Sequence, residues 1–281
     1  MSAYYDAVSK AWYVSCQAKT DPDDGFVAKL NAEGTAVVTE KFITGLDEPK
    51  GIRVNDGKLY VSNVTELITA NVETGEVLAT TPVAGIDPDV PESPFLNDVE
   101  VHVATGDVFV SDNRNNVLFR FDKDGASPEL LVKDALLESP NGLLLDERDA
   151  ANPRMLIAAM GPNLNPMRGV TDKLGAVLAV DLDDLTDGDK KVTVSYLSQR
   201  IGNLDGIEFD GDDLIVSDFF AGRVMRVTPT GETPEFGSGD AKILRQTLVR
   251  SGDLGIDAAR RFVLVPETNN NALVALDLTT L

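Results

Sequence analysis

The sequence predicts an all-β fold, a six-bladed β-propeller formed by residues 1–281 as one domain. Three features point to it: an internal repeat of blade length, short strands that alternate apolar and polar residues, and the lack of long amphipathic helical patterns. Copies of the repeat start at residues 50, 97, 141, 205 and 253, at intervals of 47, 44, 64 and 48. Three intervals match the ~40–50 residues of a propeller blade. The long one carries an insertion from Gly161 to Leu174. A β-sandwich or barrel would explain the strands but not a regular period.

At the front, Trp12–Ser15 and Phe26–Leu30 read as two strands of a copy whose opening is cut short. Lys50-Gly51-Ile52 leads to Leu59–Asn63 in the next copy. The clearest copies follow Asn97-Asp98-Val99 and Asp205-Gly206-Ile207, each running to Val-Ser-Asp, at residues 110–112 and 216–218. Between them, Asn141-Gly142-Leu143 leads to Met155–Ala159. Val132 to Leu137 offers one helical turn at most. The last copy starts at Asp253 and shows three strands before Leu281, so the terminal blades are expected to pair with each other or one blade edge to be short.

Acidic residues number 46 and basic ones 25, a formal net charge of −21. Such a field repels phosphate backbones and anionic lipid, which argues against nucleic-acid and membrane-surface partners. No apolar run approaches the ~20 residues that span a bilayer, and no signal segment opens the chain. The compartment stays open between cytoplasmic and secreted or periplasmic, the latter with a leader absent from this chain. The single cysteine, Cys16, forms no internal disulfide and reads as a packed or rim thiol at a strand end.

In a propeller, the start of each blade's inner strand and the end of its second strand lie on one face of the disc. That face gathers Lys50, Asn97, Asn141, Asp205 and Asp253, ringed by the loops 113–116, 161–174 and 269–271. Counting back from Ser15 puts the missing first member at residues 1 to 3, none of which is charged in its side chain. Asn97, Asn141, Asp205 and Asp253 form an oxygen-rich, sulfur-free set suited to a hard cation such as Ca²⁺. Asn-Gly and Asp-Gly are also common turn pairs, but turn chemistry alone does not select the channel mouth in blade after blade.

Other candidates fare worse. Gly237–Lys242 is too short for a phosphate loop, and Asp21–Gly25 and Asp183–Gly188 lack the spacing of calcium loops and read as acidic turns. His102 alternates with Val101 and Val103 in an apparent strand, which suits a packed or surface histidine. Asn63-Val64-Thr65 is a glycosylation sequon by pattern.

Phe95–Asp98, Ser139–Leu143, Leu204–Ile207 and Val265-Pro266, in separate blades and spread over nearly the whole chain, resemble the SMP-30/gluconolactonase-like propellers. The resemblance implies a divalent cation held by a first-blade Glu, by Asn141 and by Asp205, with Asn97 as a further ligand or substrate contact. The Glu would fall near Met1, so this chain departs from the pattern there. The expected function is metal-dependent hydrolysis of a lactone or related ester. Asp205 is the expected base or nucleophile, Asp253 an additional ligand or a second base, and Lys50 and Asn97 the substrate contacts. Lys50 could instead pair with Asp253. The alternative is a non-catalytic propeller that binds a small molecule or protein. The expected partner is a small-molecule substrate, and the chain is expected to be a monomer.

Overall fold

The computed structural model describes residues 1–17, 21, 23–86, 93–165, 169–182, 193–229 and 240–281. The segments Asp183–Gly188 and 237–239 singled out above lie outside the described residues, as does Pro22. Among the described residues twenty-three strands form six sheets, five of four strands and a last one of three. All strand neighbours are antiparallel and follow chain order, which is the blade connectivity of a six-bladed propeller. A 3₁₀ turn at Ala135–Leu137 is capped by Asp134, whose side chain accepts from the Leu136 amide. Among the described residues no helix is long and apolar enough to cross a membrane.

The first blade is fuller than the sequence indicates. Ala3–Asp6 forms its inner strand and Val37–Leu46 its outer one. The inner strands of the next four blades are Pro49–Asn55, Leu96–Val101, Pro140–Asp146 and Leu204–Asp210. The last is the short Gly255–Asp257. Closure joins the two terminal blades: Ala3 N donates to Asp253 O and Asp253 N donates to Met1 O, each at 3.1 Å.

Alternation along each strand sends every second side chain to one sheet face, so each blade has an apolar face toward each neighbour. The core therefore comes as separate clusters between adjacent blades. Tyr13, Val27 and Ile43 of blade 1 pack on Ile52, Leu59 and Val61 of blade 2. The cluster that closes the ring sets Trp12, Val14 and Leu30 against Leu264 of blade 6. Trp12 is fully buried there, donates from Nε1 to Ala32 O at 3.1 Å, and meets Phe262 edge-on at 6.1 Å. Burying such a side chain contributes on the order of 2–3 kcal/mol.

The repeated Val-Ser pair has a definite job. In blades 1, 2, 3 and 5 the serine hydroxyl of the second strand accepts an inner-strand amide: Ser2 N to Ser15, Gly51 N to Ser62, Asp98 N to Ser111, Gly206 N to Ser217. Three of these hydroxyls then donate to the next blade, at or just before its inner strand: Ser62 to Asn97 O, Ser111 to Asn141 O, Ser217 to Gly252 O. The serine thus staples consecutive blades at the channel wall.

These bonds also define which residues are equivalent. Met1, Lys50, Asn97, Asn141, Asp205 and Gly252 occupy one ring, each a residue ahead of Ser2, Gly51, Asp98, Gly142, Gly206 and Asp253. Asp253, read above as the start of the sixth copy, sits one residue further along, because Gly252 accepts the staple from Ser217. The glycines of the Lys-Gly, Asn-Gly and Asp-Gly pairs lie in strands rather than turns. A Cβ there would run into the next blade: into Asp98 from Gly51, and into Asp253 Oδ1 at 2.5 Å from Gly206.

Candidate functional site

One cavity of about 240 Å³ opens at the channel mouth. Lys50, Asn97, Asn141, Asp205 and Asp253, the residues singled out from the sequence, all line it. Four of them are buried, and Asn97 is partly exposed. Burial moves their titrations. It raises the Asp205 carboxyl to about 7, opposed in part by the Met1 ammonium and more weakly by the Asn141 amide and the Lys50 charge. It lowers the Lys50 ammonium to about 8, with Glu48 pulling the other way. Lys50 Nζ bonds to Glu48 O at 3.2 Å and Glu48 Oε2 at 3.5 Å, and lies 4.1 Å from the Phe95 ring centroid. Among the described residues its ion pair is thus with Glu48, two residues away, and not with Asp253.

Asp253 turns partly away from the mouth. Its Oδ2 accepts from Ser2 Oγ at 2.5 Å. Burial raises both Asp253 and the neighbouring Asp98 above the usual carboxylate range, each charge adding to the other's cost. Asn141 Oδ1, Asp253 Oδ1 and Thr268 Oγ1 are buried in this wall with no hydrogen-bond partner. Such groups are rare in folded proteins and mark places where a ligand, ion or water completes the bonding.

Three residues further along the inner strands the channel is plugged. Arg53 Nε reaches Glu100 Oε2 at 3.3 Å, and its Nη2 lies 3.4 Å from Glu208 Oε1 and 3.9 Å from Asp98 Oδ2. Its Nη1 donates to Ile52 O at 3.0 Å and Nη2 to Leu143 O at 3.2 Å. Burial raises Glu208 to about 8 despite Arg53.

Sequence reasoning missed the rim of the cavity. Arg114 sits in the loop after the second strand of blade 3, 4.7 Å from the Phe95 ring centroid. Arg250 lies 5.4 and 5.6 Å from the centroids of Phe219 and Phe220, which follow the Val-Ser-Asp of blade 5. The usable signal was positional: loops after Val-Ser face the mouth, and these two carry the rim groups. His102 lies just past the inner strand of blade 3, in the turn at the other end of the hairpin, with Nε2 3.0 Å from Glu147. It is not a strand residue, because the pairing ends at Val101–Val108. Cys16 ends its strand partly exposed. Asn63 is buried, its Oδ1 accepting from the amides of Asp47 and Glu48, so the sequon pattern at that position belongs to a strand-end cap.

Among the described residues no three His, Cys, Asp or Glu side chains converge as a metal site. Any cation here would lean on the amide oxygens. No family model matches the chain, and no curated protein matches it. Solved structures do match in fold. A Kuenenia stuttgartiensis hydrazine synthase structure aligns over 98% of this chain and 94% of its own at 10% identity, with a TM-score of 0.60. The Cps50 (Swd1) β-propeller domain of Myceliophteria thermophila aligns over 98% and 96% at 7% identity, also at 0.60. A nidogen/laminin complex aligns over 86% and 78% at 15% identity and 0.59. At such identities the likeness establishes a β-propeller and carries no chemistry.

Proposed function

We propose that the channel mouth is the active site of a metal-dependent hydrolase acting on a lactone or related ester. The observation that carries this reading is the unbonded Asn141 Oδ1, buried beside Asp205 in the wall of the cavity. The donor set fits a hard cation such as Ca²⁺, which takes carboxylate and amide oxygens in flexible geometry. Asn141, Asp205 and Asn97 would hold it, with Asp253 Oδ1 as the further oxygen. When bound, such an ion polarises an ester carbonyl and steadies the negative charge that develops on its oxygen. Asp205 would accept the proton of the attacking water. Asn141, beside Asp205 in the same wall, orients its carboxyl. Lys50, close to its own titration point at neutral pH, donates to the carboxylate or alkoxide that forms. The resemblance to SMP-30/gluconolactonase-like propellers supports the same assignment of Asn97, Asn141 and Asp205.

The test is calcium titration by calorimetry together with a panel of lactones and esters. Ca²⁺ is expected to bind and raise the melting temperature. Asp205→Asn should abolish hydrolysis and weaken Ca²⁺ binding by at least about tenfold, since it removes a charge from the ion and the base together. A second reading rests on a specific observation: Met1, Lys50 and Gly252 hold three of the six ring positions and offer no side-chain oxygen. If millimolar Ca²⁺ changes nothing and no ester is cleaved, the site is that of a non-catalytic small-molecule binder.

A further inference from the structure

The cavity wall sets three cations against three carboxylates, Glu48, Asp205 and Asp253. The chain as a whole has 46 acidic and 25 basic residues. Yet three side chains lining this one cavity are Lys50, Arg114 and Arg250, and each is stacked on an aromatic ring of the same cavity. Two of them have bonded partners near by: Lys50 has Glu48, and Arg114 Nη1 donates to Ser93 O at 3.2 Å. Arg250 differs. Among the described residues it makes no ion pair, and its recorded side-chain contacts are the faces of Phe219 and Phe220.

Its position is nonetheless well defined. Arg250 has φ 56, a left-handed conformation uncommon outside glycine. The backbone around it is tied down on both sides. Thr268 N donates to Arg250 O at 3.1 Å, and the next residue, Ser251, donates from Oγ to Asp218 O at 2.8 Å. Thr268, joined to Arg250 by that backbone bond, brings a second group. Its Oγ1 is buried in the cavity wall with no partner. A guanidinium without a counter-ion and a hydroxyl without an acceptor thus share one side of the cavity. A carboxylate is the acceptor that satisfies both, through the parallel N–H donors of arginine and one O–H. Phe219 and Phe220, partly exposed and 5.2 Å apart in an edge-to-face pair, offer a flat apolar surface beside it. A cavity of about 240 Å³ has room for a small ring compound.

We propose that the molecule this site takes is a small aromatic carboxylate, its carboxylate held by Arg250 and Thr268 and its ring against Phe219 and Phe220, with the ester or lactone bond directed to Asp205. This substrate class rests on the hydrolase reading; the carboxylate site itself does not. The negative field of the chain opposes anions at long range but is screened beyond ~8 Å at physiological salt, so the local pair governs binding once the ligand arrives.

Calorimetry on the full chain with Ca²⁺ present, using benzoate and benzamide as probes, tests it. Benzoate is expected to bind at least about tenfold more tightly than the isosteric but neutral benzamide, the scale of a charge-assisted hydrogen bond. Arg250→Gln, at an exposed position that tolerates substitution, should erase that difference. Thr268→Val, similar in shape, should reduce benzoate binding severalfold and leave benzamide unchanged. Equal binding of acid and amide, or an undiminished preference in Arg250→Gln, overturns the carboxylate site. Turnover of 4-acetoxybenzoate against neutral phenyl acetate separates the two proposals. A preference for benzoate with neither ester cleaved retains the carboxylate site and defeats the hydrolase. Cleavage of both esters at equal rates, unaffected by Arg250→Gln, retains the hydrolase and defeats the carboxylate site.

Discussion

Two levels of one channel, three residues apart on the same inner strands, are arranged on opposite principles. At the mouth, Asn141, Asp253 and Thr268 each present a buried oxygen with no partner, and Lys50, Arg114 and Arg250 face a cavity. Below it, Arg53 is surrounded by Asp98, Glu100 and Glu208 and bonded to two backbone carbonyls. Spare hydrogen-bonding capacity costs stability and is retained where a ligand fills it, whereas a satisfied ion network holds the blades in register. The mouth is therefore expected to answer to ligands and the lower level to stability.

The sharpest way to break this contrast is Arg53→Leu. It leaves three buried carboxyls without their cation and should cost on the order of 3–5 kcal/mol in chemical denaturation. Asp205→Asn at the mouth should change stability by less than about 1 kcal/mol in the same assay, because it removes a charge that burial already disfavours. Equal losses in the two variants would erase the distinction. Next in size is the staple between blades 5 and 6. Ser217→Ala strips a partner from Gly206 N and from Gly252 O, both at the buried channel wall, and should cost about 1–3 kcal/mol. No loss would mean that water or backbone movement replaces the hydroxyl.

An effect of similar size concerns pH. Glu208 titrates at about 8 in the folded chain against 4.5 ordinarily, its side chain being 13% exposed. Between those values the folded protein holds a proton that the unfolded chain releases. Its contribution to stability is complete below about pH 4.5 and is lost as pH rises through about 8. Glu208→Gln cannot titrate, so its stability should fall less between pH 5 and 8, by on the order of 1–3 kcal/mol. Parallel pH profiles of denaturation midpoint for the two proteins would contradict this.

Much of the architecture is legible from residue order alone. The repeat interval and period-2 alternation specify blades because each sheet has two faces to bury and only its neighbours to bury them against. The recurrence of Asn97, Asn141 and Asp205 at one repeat position also specifies that they meet, since equivalent positions on inner strands surround one axis. Three things were decided only in three dimensions. The sixth blade's register depends on which carbonyl Ser217 reaches, and Pro266, standing where blades 1, 2, 3 and 5 have that serine, conceals the alignment. The Arg53 plug joins Glu100, Leu143 and Glu208 across four blades, a convergence that no local pattern encodes. The pairing of Arg250 with Phe219, Phe220 and Thr268 depends on where loops from two blades pass each other. Periodicity constrains strands because they share backbone geometry, but loops share none, so their side chains find partners only once the ring has closed.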